Sequence, residues 1–130
     1  MRYLLLFAVC SLPLAGCAVP DCSKPLTETF SVMPATATAD HMAKPPGNQA
    51  QFRPQLMTTY PAGCPVPSVP IIDNAVWTTS DTTNIQIDST VGTTNGLATC
   101  VGTTDGAATI TAKISTAANA LTNTASLTCQ

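Results

Sequence analysis

Between residues 28 and 129 no stretch holds an apolar stripe at helical spacing; what recurs is short runs in which apolar and polar residues alternate. Residues 29–32 form a first extended piece, and 33–40 continue it with alternating Ala and Thr. In 49–58, Ala50 and Phe52 fall on one face of a second strand by period-two spacing. Residues 75–80 hold the only tryptophan, Trp77, and Ile85 and Ile87 alternate with polar neighbours in the next run. Residues 96–101, 107–113 and 122–129 complete the set, punctuated by the turn signals Asn95-Gly96 and Asp105-Gly106. Lys44-Pro45-Pro46-Gly47 breaks any regular element, and 60–73, with four of the eleven prolines, Gly63 and Cys64, reads as a long loop. The Ala-rich stretch 115–121 suits a hairpin loop as well as a single helical turn. Threonine occurs 22 times; its branched Cβ fits a pleated surface and its hydroxyl keeps an exposed face wet. About seven short strands at this spacing predict an all-β sandwich.

The chain opens differently. Arg2 is followed by an apolar run from Tyr3 to Leu12, and then by Leu14-Ala15-Gly16-Cys17. A membrane-spanning helix needs about 20 apolar residues, and Pro13, Gly16, Pro20, Asp21 and Lys24 end this run earlier. A Leu, two small residues and a Cys behind a short apolar segment resemble the lipobox of a bacterial lipoprotein signal peptide. The resemblance implies removal of residues 1–16, lipidation of Cys17 and a short tether, 17–27, ahead of one domain, 28–130. An ordinary secretory signal with an incidental Cys17 is the alternative, and both readings export the chain.

Export changes how the cysteines read. Of six, Cys10 leaves with the signal and Cys17 takes lipid, so Cys22, Cys64, Cys100 and Cys129 remain. They include no Cys-x-x-Cys pair, and the single histidine, His41, is distant from them, so neither a zinc site nor a thioredoxin-like centre is supported. Two disulfides are expected, as in small exported domains with thin cores, and four cysteines allow three connectivities. Residues 17–130 hold four basic groups, Lys24, Lys44, Arg53 and Lys113, against seven acidic ones, a net charge of −3. So few dispersed cations exclude nucleic acid as a partner and offer no polybasic membrane patch.

The runs Trp77-Thr78-Thr79-Ser80-Asp81, Ile85-Gln86-Ile87-Asp88, Asn95-Gly96-Leu97-Ala98-Thr99 and Gly106-Ala107-Ala108-Thr109-Ile110-Thr111-Ala112 resemble, in order, the motifs of bacterial Ig-like domains of group 2. Phe30-Ser31-Val32-Met33-Pro34 and Gly47-Asn48-Gln49-Ala50-Gln51-Phe52 look like that family's first two strands. The likeness covers residues 28–129 and departs from the pattern in the longer proline-rich loop around Cys64 and in the cysteines. It implies an Ig-like sandwich used at the cell surface or envelope for adhesion, spacing or protein contact. Its topology, with consecutive strands antiparallel, puts Cys22 and Cys64 at one end and Cys100 and Cys129 at the other. The resemblance thereby implies Cys22–Cys64 and Cys100–Cys129, with Cys64–Cys100 as the competing pairing.

Catalytic chemistry finds little support in the chain. His41 lies in a proline-flanked loop with no nucleophile motif beside it and reads as a solvated surface residue. Asp81 and Asp105 fall near turns at one end, with Asp88 not far off in sequence, so a weak calcium site is conceivable, although calcium wants six to eight oxygens; an Asx turn is the plainer role for Asp81. Trp77 is expected in the core, with a sugar-stacking platform as the alternative. No cofactor and no catalytic residue is expected. The functional expectation is a non-catalytic, lipid-anchored envelope module contacting protein or polysaccharide, held to the membrane by its N-terminal lipid. The alternatives are an accessory domain of an envelope enzyme or transport complex, or a plainly secreted Ig-like protein.

Overall fold

The computed structural model describes residues 20–66, 72–116 and 119–130. The expected signal peptide, with Cys10, and the expected lipidation site Cys17 lie outside the described residues, as does part of the proline-rich loop. The strands are β1 (Thr27–Met33), β2 (Thr36–Ala39), β3 (Gln49–Gln51), β4 (Arg53–Thr59), β5 (Val76–Thr79), β6 (Ile85–Ile87), β7 (Leu97–Cys100), β8 (Gly106–Ser115) and β9 (Ala120–Cys129). They pack as an all-β sandwich. One layer has the order β2-β9-β8-β5; the other joins the pair β1-β4 to the set β3-β7-β6, because only Phe52 separates β3 from β4.

Among the described residues nine strands stand where about seven were expected, because two long runs are each divided where the chain changes partner. The first run pairs antiparallel with β4 through Met33, opposite Arg53. Beyond Pro34 it enters the other layer and pairs parallel with β9, Thr36 opposite Ser126 and Ala39 opposite Cys129. The second run pairs with β7 through Gln51, breaks at Phe52, whose N–H donates to the Gly96 carbonyl at 2.9 Å, and resumes beside β1. Pro54, which has no N–H to donate, stands just past this exchange.

The longest ladder is the β8–β9 hairpin, registered from Gly106 opposite Cys129 to Ser115 opposite Ala120. Its loop is closed by the Thr116 N–H donating to the Asn119 carbonyl at 2.8 Å. Period two decides what faces the core: Ala108, Ile110, Ala112 and Ile114 on β8 and Ala125, Leu127 and Cys129 on β9 are buried. Against them from the second layer stand Phe30, Val32, Phe52, Ile85 and Ala98. Among the described residues, six of the sixteen buried apolar ones are alanines, Ala39, Ala75, Ala98, Ala108, Ala112 and Ala125. Such a core brings the layers close but buries little area per residue, which is the circumstance in which small exported domains add disulfides.

The end where β1 begins also holds the end of β4, the start of β5 and the β8–β9 loop. The opposite end gathers the loops following β2, β5 and β7 and the end of β9. Both disulfides and each candidate residue are located by this division.

Candidate functional site

Cys22 is joined to Cys64 with Cα atoms 5.5 Å apart, which ties the segment before β1 to the loop after β4. Cys100 is joined to Cys129 with Cα atoms 5.9 Å apart, linking the last residue of β7 to that of β9 and so one layer to the other. Cys22 is exposed, whereas Cys100 and Cys129 are 1 % and 2 % exposed. Two disulfides in so short a chain belong to an oxidising, extracytoplasmic compartment.

Trp77 sits on β5 with 4 % exposure, its ring centroid 6.4 Å from that of Phe52. A buried indole N–H needs an acceptor, and Nε1 donates to Asn95 Oδ1 at 2.8 Å. Asn95, itself buried, donates through Nδ2 to the carbonyls of Ala75 at 2.9 Å and Thr90 at 3.1 Å. The Asn-Gly pair is thus more than a turn signal: Asn95 is a polar pin between the loop and β5, and Gly96 is required beside it. Gly96 has φ +83°, and a Cβ there would lie 2.4 Å from the Phe52 oxygen and 2.7 Å from the Trp77 ring.

β5 is an edge strand, so backbone groups on its outer side lack a ladder partner. At Trp77 one hydroxyl answers both: the backbone N–H donates to Ser89 Oγ at 2.9 Å, and Ser89 donates back to the Trp77 carbonyl at 3.1 Å. On the other side of the sandwich, Asn123 Nδ2 of β9 donates to the Phe30 carbonyl on β1 at 2.8 Å. From the sequence Asn95 is only a turn former, and nothing there distinguishes Ser89 or Asn123. A buried Trp that needs an acceptor was the one available signal, and it does not say which residue answers.

Between the edges of β5 and β6 runs an open groove of about 630 Å³. Trp77, Ile85 and Ile87 contribute apolar surface to it, and Thr78, Thr79, Thr82 and Gln86 contribute hydroxyl and amide groups. No lining residue is charged. Trp77 is too enclosed to offer a ring face for stacking, so the groove presents hydroxyl and amide groups and side-chain edges. A second hollow, of about 470 Å³, lies beside the start of β1 and is walled by Lys24, Leu26, Glu28 and Leu121.

The acidic residues serve turns. Asp81 Oδ1 accepts from the N–H groups of Thr83 at 3.1 Å and Asn84 at 3.0 Å, and Oδ2 accepts from Asn84 Nδ2 at 2.8 Å. These bonds, the Asn84 side chain foremost, hold the Asp81 carboxyl below its ordinary value. Asp88 is lowered in the same sense, first by the Thr90 hydroxyl, then by Thr94 and the Thr90 N–H. Asp105 Oδ1 lies 3.5 Å from His41 Nδ1. Among the described residues no group of three or more His, Cys, Asp or Glu is gathered to hold an ion.

His41 differs from the expected solvated residue. Its side chain is 9 % exposed, and Nδ1 is buried without a hydrogen-bond partner. The parallel pairing of β2 with β9 draws the residues after β2 inward, and the His41 N–H donates to the Gln130 carbonyl at 3.1 Å. Beside it Asn48 donates to the Cys100 carbonyl at 3.3 Å and leaves its own Oδ1 without a partner. Compared with known proteins, the chain matches no family model and no curated sequence.

Proposed function

We propose that this chain is an exported, lipid-anchored, immunoglobulin-like module of a bacterial cell envelope, which acts by contact with a protein or polysaccharide and not by catalysis. The carrying observation is the Cys22–Cys64 bridge, which fixes the sandwich to a point five residues beyond the lipobox-like Leu14-Ala15-Gly16-Cys17. A folded domain so close behind a lipid attachment point is an anchored module. Strand order supports the immunoglobulin-like part: β1, β4/β3, β7 and β6 against β5, β8 and β9 matches the four-plus-three division of that sandwich, with a first strand shared between layers. The uncharged groove between β5 and β6 is the candidate contact surface, since its hydroxyls and Gln86 suit a neutral chain.

Two measurements test this reading. Cys17→Ser should leave the precursor unprocessed or release the protein from membranes; a variant that stays membrane-bound and normally processed refutes the anchor. A photo-crosslinker at Gln86 should capture a partner that one at Lys44 does not, and Thr82→Arg should abolish the capture. Equal labelling from both positions refutes the groove as the contact surface.

A further inference from the structure

The geometry points to a second contact: the end of the sandwich that carries Cys22 docks onto the lipid bilayer surface. This rests on the lipid-anchor reading. Among the described residues, four of the eight exposed large apolar side chains lie at that end, with Met42 and Val101 at the other. Leu26, whose N–H donates to the Thr59 carbonyl, is 66 % exposed; Val66, two residues past Cys64, is 78 % exposed; Val91 is 72 % exposed, next to Gly92, whose N–H donates to the Asp73 carbonyl at 3.1 Å. Val76 at the start of β5 adds a fourth, 57 % exposed. Water solvates none of them well, and dispersed singly they would mean nothing.

The tether makes the bilayer their occupant. Five residue steps separate Cys17 from the bridged Cys22 and span at most about 18 Å, whereas the ten residues of β8 or β9 extend about 33 Å. An inverted orientation would need a tether longer than the sandwich. The Cys22 end therefore stays at the headgroups, and confinement at high effective concentration lets weak apolar contacts operate. Attraction to anionic lipid is not the cause, because Lys24 and Lys113 at this end are outnumbered by Asp21, Glu28, Asp73 and Asp88.

The test is hydrogen exchange on the full chain as isolated from membranes, reconstituted in phosphatidylcholine vesicles, with Cys17→Ser protein plus the same vesicles as reference. Amides of 61–66 and 90–93 should exchange at least about fivefold more slowly in the vesicles, those of 42–47 at the opposite end should be unchanged, and 0.5 M salt should make no difference. The variant Leu26→Ser/Val66→Ser/Val91→Ser, checked for an unaltered Tm, should stay bound through its lipid and lose the protection. Equal exchange at both ends, protection that persists in the triple variant, or protection abolished by salt overturns the docking while leaving the anchor intact. A mass spectrum without an acyl group on Cys17 overturns the anchor and this orientation with it.

Discussion

At the residue scale, Asn95 is the buried polar side chain among the described residues. It answers the indole N–H of Trp77 and two backbone carbonyls from a buried position. Asn95→Ala strands those groups, and each buried group left unsatisfied costs about 1–3 kcal/mol; urea denaturation should show a loss of at least that size, with Trp77 emission shifted to the red. Trp77→Ala should cost about 3–5 kcal/mol by the same measurement, as expected for a large core aromatic. The acid limb of stability belongs to this scale as well. Asp81, Asp88 and Asp21 are all held below their ordinary carboxyl value of 3.8 in the folded chain. Their contribution is therefore complete above about pH 4 and is lost as pH falls through the lowered folded values. Asp81→Asn should flatten the acid limb of a stability–pH curve, and a curve of unchanged steepness would show that the Asp81 turn contributes nothing.

At the element scale, edge strands are the hazard of an open sandwich, and here side chains close them. Ser89 satisfies the outward N–H and C=O of Trp77 on β5, and Asn123 satisfies Phe30 on β1. A strand docking at β5 must first displace the Ser89 hydroxyl. Ser89→Ala should leave the fold within about 1 kcal/mol of the parent yet expose an edge able to pair with another chain. Size-exclusion chromatography across a concentration series should show association in the variant and none in the parent. Elements also mark where sequence patterning stopped being informative. Alternation identified the extended runs around Phe30 and Phe52, but alternation is the same on either side of a change of sheet. The crossings at Pro34 and Phe52 therefore became visible only with their partners, β9 and β1, in place.

At the scale of the whole molecule, the two disulfides close segments of similar length, 42 and 29 residues apart in sequence. Loop-closure entropy therefore values them nearly alike, at about 3.5–4 kcal/mol each. Environment separates them. Cys22 is exposed, and Cys100 and Cys129 are enclosed, so graded dithiothreitol should open Cys22–Cys64 first while the sandwich stays folded. Loss of Cys100–Cys129 should come with global unfolding, because that bridge joins the layers across a core of alanines. Peptide mapping after partial reduction checks the order, and simultaneous loss of both would contradict it.

The sequence by itself determined the class of fold, since period-two alternation, β-branched residues and regularly placed Gly, Pro and Asn signals are local properties that each run displays alone. It also determined that Trp77 belongs to an apolar face and that four cysteines in an exported chain invite two bridges. Tertiary structure decided whatever depends on which strand lies beside which. The parallel seating of β2 against β9 turned His41 from an expected surface residue into a packed one facing Asp105. The approach of Asn95 to Trp77 and the plugging of β5 by Ser89 have the same origin. Such contacts join residues 12 to 93 positions apart, and no periodicity within one strand encodes the address of another.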